Sequence, residues 1–273
     1  MPEDWLVPDW PAPSHVKALF TTRTGGVSAA PFDSFNLGDH VRDDPAAVQT
    51  NRARLGQWLG ARPVFLQQVH GTAVATLDAH TPDGTVADAC VTAQSGVACA
   101  VMVADCLPVL FTDTDGTVVA AAHAGWRGLV GAGADVPGQG VLETCWAEMT
   151  AALRRQQPLG TSEQMAGHTL AWLGPCIGPQ AFEVGEEVRA AFLAWSGDAA
   201  SCFQPLPARG KYLANLPQLA RLRLQAMGIT RLFGNDGTPA WCTVTQASRF
   251  FSHRRDAARL GSTGRMAACI HIG

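Results

Sequence analysis

Residues 108–112 (PVLFT) and 117–123 (TVVAAAH) are two uncharged runs separated by Asp113-Thr114-Asp115-Gly116, a turn sequence. They commit the middle of the chain to a β-hairpin. If Thr114 and Asp115 form the loop, Cys106 lies directly opposite His123. If Asp115 and Gly116 form it, His123 shifts by two residues along its partner. Side chains alternate with period two, so Cys106 and His123 share a face in both registers. Directly opposed Cβ atoms are roughly 4.5–5.5 Å apart, a gap that one zinc ion with bonds of about 2.0–2.3 Å bridges.

His70 closes the strand-like run PVFLQQVH (63–70) just before Gly71, the same kind of strand end that His123 occupies. It is the third candidate ligand. Two His and one Cys leave a tetrahedral zinc with an open fourth position, the arrangement of a catalytic site. Spacing alone leaves other readings open. A buried Cys is more often a small hydrophobe than a ligand, a His at a strand end is commonly a hydrogen-bonded core residue, and Cys106 with His123 as base also suits a Cys-His hydrolase.

The chain has 273 residues, 47% of them hydrophobic and 16% charged, enough to bury a large interior as a single domain over 1–273. With a net charge of −3 and its Lys and Arg scattered, it offers no stripe for nucleic acid or an anionic membrane. A small-molecule ligand is expected, acting on a monomer or weak homo-oligomer. The segment MPEDWLVPDWPAP lacks the basic start and apolar core of a signal peptide. Val97–Phe111 is interrupted by Asp105 and Pro108 and is too short to span a bilayer. A cytoplasmic location is therefore expected, with the eight cysteines kept as thiols. No two of them form a CxxC, which argues against a closed zinc knuckle.

Further strands are expected at 73–78, 97–103 and 170–173, and helices at 45–59, 141–156, 183–195 and 215–227. Strands and helices interleave throughout, so the fold class is mixed, α/β or α+β. GAGADVPGQG (131–140) reads as a flexible loop and has the spacing of neither a dinucleotide nor a Walker loop.

The blocks QQVHG (67–71), DACVT (88–92), ADCLPVLF (104–111), AHAGWRG (122–128), GPCIGPQAFEVGEEV (174–188), FFSHRRD (250–256) and GRMAACI (264–270) occur in an order that resembles the YfiH family. TTRTGGVS (21–28) and SFNLGDHVRDDPAAVQTNR (34–52) match its N-terminal motifs. This is the laccase-domain, or polyphenol oxidase, family, whose members are regarded as zinc-dependent purine nucleoside phosphorylases. The resemblance implies a layered sandwich of mixed β-sheet with flanking helices. It also implies His70, Cys106 and His123 as metal ligands. The activity it implies is phosphorolysis of adenosine, inosine, guanosine and methylthioadenosine, with adenosine deamination as a second activity. The chain departs from the family in three places: a long link at 131–140, an extra loop at 160–168, and His253 where Tyr is common. These bear on substrate preference and leave the ligands intact.

Phosphorolysis needs cationic or backbone donors for phosphate. Arg23 and Arg127, each in a motif turn, are the candidates, with a structural ion pair the alternative for Arg127. Asn36 either reaches a ligand or caps a turn. Strand alternation points Asp105 away from the metal, which suits a capping role. Arg254, Arg255 and Asp256 read as a structural ion network, Cys176 as packing, and Glu183 and Glu187 as a solvated helix face. A copper-dependent polyphenol oxidase is the competing enzyme reading, although the eight His include no HxH motif of the multicopper kind. Copper can still bind a soft Cys-His site. A Cys-His hydrolase and a role linked to peptidoglycan editing complete the alternatives.

Overall fold

The computed structural model describes residues 2–134, 138–156 and 160–273. One mixed sheet has the order β1 (Val16–Phe20), β13 (Met266–Ile272), β5 (Val97–Val103), β2 (Arg62–Phe65). A second runs β12 (Arg231–Gly234), β8 (Thr169–Leu173), β6 (Leu107–Asp113), β7 (Val119–Ala124), β4 (Ala89–Thr92), β3 (Val74–Thr76). A small antiparallel sheet joins β10 (Phe203–Pro205), β11 (Lys211–Ala214) and β9 (Glu183–Gly185).

Period-two alternation sorts the strands into layers. In β5, Val97, Cys99, Val101 and Val103 pack with Leu110, Val119 and Ala121 of the second sheet. Its intervening Ala98, Ala100 and Met102 pack with Leu55 and Leu59 of α1 (Pro45–Leu59). The far face of the second sheet, including Val109, Phe111, Ala120 and Ala122, meets Leu142 and Met149 of α3 (Val141–Gln156). Phe192 of α5 (Glu186–Trp195) and Leu219 and Leu224 of α6 (Leu216–Ala226) join the same cluster. The result is helix, sheet, sheet, helices: the expected layered sandwich. Every residue of β5 and β6 is buried, which accounts for the absence of charge along them until Asp113. Among the described residues, no helix is long and apolar enough to cross a membrane.

The hairpin adopts the second of the two registers, with Pro108 opposite His123 and Leu107 opposite Ala124. Its connection is longer than two residues because the Asp113 carboxylate gathers it. That carboxylate accepts from the backbone N–H groups of Asp115 at 3.1 Å and of Thr117 and Val118 at 2.8 Å.

Three expectations need correction. The run 63–70 is not one strand: β2 stops at Phe65, Gln67 makes a single bridge to Val86, and His70 is left-handed at φ 62°. The Gln68 amide replaces the ladder, binding the Met102 backbone N–H at 2.7 Å and carbonyl at 2.8 Å. Residues 160–168 contain a short helix, α4 (Ser162–Gly167), closed by a Thr161–Gln164 capping box. The helix expected from 183 starts at Glu186, because Glu183 pairs with Leu213 in the small sheet. Of the loop at 131–140, residues 135–137 lie outside the described part.

Asp113→Ala removes the acceptor for three backbone donors, and we expect a loss of about 1–3 kcal/mol in urea unfolding with an unchanged m-value.

Candidate metal centre

The candidate ligands meet at one end of the seam between the two large sheets. His123 is the penultimate residue of β7, Cys106 immediately precedes β6, and His70 follows β2 of the other sheet. Their ligand atoms all lie within 4.8 Å of one another. Cys106 Sγ is 3.7 Å from His70 Nε2, and the two imidazoles stand edge to face with centroids 4.8 Å apart. His123 is buried, Cys106 half-buried and His70 exposed.

Asp88 holds this arrangement, and sequence reading passed it over. Its carboxylate is fully buried. Oδ1 accepts from the His70 backbone N–H at 2.8 Å and from His123 Nδ1 at 2.9 Å. Oδ2 accepts from the backbone N–H groups of Val69 at 3.1 Å and Gly71 at 2.7 Å. The three consecutive backbone donors stabilise the left-handed turn at His70, while the ring bond leaves Nε2 as the free nitrogen of His123. The one available signal was an acidic residue directly before an uncharged strand, in DACVT.

The glycines of AHAGWRG make room rather than merely turn. A Cβ on Gly125 would come within 2.9 Å of Cys106 Sγ and 3.0 Å of His70 Cδ2. One on Gly128 would come within 2.7 Å of the Gly71 carbonyl. The segment opens a short helix, α2 (Trp126–Val130), with Gly125 at its N-cap.

Burial pushes the Cys106 thiol up, but His123 and His70 beside it bring it down to about 6. Burial pulls His123 down, and Cys106 with Asp88 more than reverses this, to about 9. Burial also raises Asp88, yet the His123 hydrogen bond leaves it below the usual carboxylate range. Without a metal the pair is thus thiolate and imidazolium near neutrality. One thiolate and two imidazoles are a donor set for zinc or copper rather than for magnesium or calcium, and a His ligand backed by a carboxylate is a recurrent feature of such sites.

A cavity of about 270 Å³ opens over these residues. Met102, Trp126, Ile177, Phe182 and Leu216 supply its apolar walls, and Gln68, His40, His253, Arg254 and Arg265 its polar ones. The three other candidates from the sequence do not line it. Arg23 is spent on Asp33 and the Ala247 carbonyl. Arg127 is exposed and stacks on Trp126 at 4.6 Å. Asn36 is buried and caps a turn, with Oδ1 accepting from the backbone N–H groups of Gly38 at 2.9 Å and Arg265 at 2.8 Å. Asp105 is left-handed at φ 93° and accepts from the Thr243 hydroxyl and the Arg254 backbone N–H, both at 2.6 Å. It thereby secures the start of α7 (His253–Leu260). Arg255 pairs with Asp256 at 2.7 Å and donates to the Thr243, Val244 and Phe250 carbonyls, a structural role. Cys176 is buried and accepts from Asn235.

Residues 17–273 match the family model described as multi-copper polyphenol oxidoreductase laccase. This chain belongs to the YfiH laccase-domain family. It is 48% identical over 269 residues to a Pseudomonas aeruginosa protein named purine nucleoside phosphorylase, covering 98% of each chain. It is 46% identical to the Escherichia coli purine nucleoside phosphorylase YfiH, again over 98% of each. A Neisseria meningitidis crystal structure of the DUF152 family superposes with a TM-score of 0.85 at 44% identity, covering 99% of both chains. Among the described residues, His70, Cys106 and His123 are the group of side chains suited to a metal.

Two outcomes are expected. Asp88→Asn, which must turn a donor amide towards backbone N–H groups or His123, should weaken metal binding about 10- to 100-fold in a chelator competition. In the metal-free protein, iodoacetamide should modify Cys106 with a midpoint near pH 6, the thiol becoming protonated and slow below it, whereas an ordinary cysteine titrates at about 8.5.

Proposed function

We propose that this chain is a zinc-dependent purine nucleoside phosphorylase, acting on adenosine, inosine, guanosine and methylthioadenosine, with adenosine deamination as a second activity. The observation that carries the reading is the position of His70, Cys106 and His123 on a cavity with an apolar wall and cationic residues, in a chain nearly half identical to proteins named purine nucleoside phosphorylase. We also read the 273 residues as one cytoplasmic domain, a monomer or weak homo-oligomer.

A zinc ion held by one thiolate and two neutral imidazoles would keep one net positive charge and supply a Lewis acid with an open position at the cavity. The remaining work falls to the chain. Asp88 keeps the His123 proton on Nδ1, away from the cavity side of the ring. Trp126 and Phe182 supply aromatic surface at the cavity wall for a purine. The Arg254 guanidinium donates to the Ala181 and Glu183 carbonyls and so braces the Phe182 wall. In phosphorolysis a phosphate oxygen bonds to C1′ of the ribose as the C1′–N9 bond breaks, and the base leaves with a proton. In deamination water adds at C6 of adenine and ammonia departs.

A copper oxidase reading draws on the family model's description. Against it, only two of the eight His, His70 and His123, belong to the one cluster of possible metal ligands among the described residues, where a multicopper centre needs many His ligands. The depressed Cys106 thiol beside His123 favours instead, as second reading, a metal-free thiol hydrolase.

The test is metal analysis with inosine and adenosine assays, each with and without phosphate. We expect stoichiometric zinc, hypoxanthine release that requires phosphate, and loss of both in Cys106→Ala. Activity that survives complete zinc removal would overturn the reading in favour of the hydrolase.

A further inference from the structure

Two of the sequence blocks contribute nothing to the metal ligands: NLGDH (36–40) and GRMAACI (264–270). The fold brings them together at the cavity, where His40 and Arg265 are both lining residues. Arg265 is half-buried and its backbone N–H is held by Asn36 Oδ1 at 2.8 Å. A side chain at position 38 would come within 2.7 Å of Arg265 Cγ, so Gly38 clears the path for its stem. Nη1 donates to the carbonyls of Thr263 at 3.0 Å and Gly264 at 3.2 Å. Both bonds fall on one nitrogen. Among the described residues, Nε and Nη2 have no hydrogen-bond partner, and no carboxylate pairs with the guanidinium.

That pattern separates Arg265 from neighbouring cations. Arg254 spends both Nη1 and Nη2 on carbonyls. Arg52 donates Nε to Leu37 and pairs with Asp39 at 3.3 Å. The nearby Asp105 carboxylate is already taken by Thr243 and Arg254. Burial pulls the Arg265 pKa down, with Cys106 and Asp105 pushing it back, which marks a partly desolvated cation with no direct counter-ion. The Nε–Nη2 edge of a guanidinium is a planar two-donor fork that matches two oxygens of one tetrahedral oxyanion.

We propose that Arg265, through its Nε–Nη2 edge, binds phosphate in this cavity, and that exposed His40 flanks the same oxyanion subsite. The proposal rests on the phosphorylase reading and deepens it. Asn36 and Gly38 act as positioning residues, fixing the backbone and the stem of Arg265, which is the use the sequence left undecided for Asn36.

The zinc-loaded full chain and its Arg265→Met, Arg265→Lys and His40→Ala variants are titrated calorimetrically with inorganic phosphate, and the KM values for phosphate and inosine are measured. Arg265→Met should raise the phosphate Kd and KM about tenfold to a hundredfold, the loss expected when hydrogen bonds to a charged group are removed. The inosine KM should move much less, and Arg265→Lys should recover part of the loss because it keeps the charge without the fork. His40→Ala, at an exposed position, should raise the phosphate KM about twofold to fivefold, the loss of one hydrogen bond. Should Arg265→Met fail to fold, Arg265→Lys and His40→Ala carry the test, and unchanged phosphate binding in both overturns the subsite. Unchanged phosphate binding in Arg265→Met, with hypoxanthine release still dependent on phosphate, overturns the subsite and leaves the phosphorylase reading standing. A wild-type protein that neither binds phosphate nor needs it for hypoxanthine release overturns both.

Discussion

One buried carboxylate, Asp88, ties the centre together. It takes four donors, three from the turn at residues 69–71 and one from the His123 ring. A buried charge with this many partners is stable where an unpartnered one would not be. The same four bonds set both the backbone twist that presents His70 and the tautomer that presents His123. Two candidate ligands from distant parts of the chain therefore share a single anchor, and the geometry of one cannot change without disturbing the other.

The sandwich gives that anchor its address. Strands buried on both faces place Cys106 and His123 on the side of the second sheet that faces the first, at the open end of the seam. His70 arrives from the first sheet's chain exit. Three side chains from two sheets converge only because the Gln68 amide ends the β2 ladder against Met102 and frees the next residues to bend. Glycines at 125 and 128 then allow the close approach.

Much of this could be read from sequence. The hairpin's alternation put Cys106 and His123 on one face whichever register formed, and the helices at 45–59 and 141–156 have the bounds their patterns suggested. What failed was local backbone set by side chains at a distance. The apolar run to His70 looks like a strand, but its end is decided by Asp88 and by Met102, 18 and 32 residues further along from His70. Likewise Arg23 and Arg127 stood in conspicuous motifs, yet one is consumed by Asp33 and the other lies over Trp126. Arg265 carried no local mark, since its open guanidinium edge depends on Thr263, Gly264, Gly38 and Asn36 together.

The gradient of exposure across the three ligands has a consequence for how an ion would arrive. His70 stands in solvent, Cys106 is halfway in, and His123 is enclosed with its carboxylate behind it. His70 would be the first donor that an ion entering from the mouth could reach, Cys106 the second and the enclosed His123 nitrogen the last, so its water shell would be surrendered in stages to one side chain at a time rather than all at once.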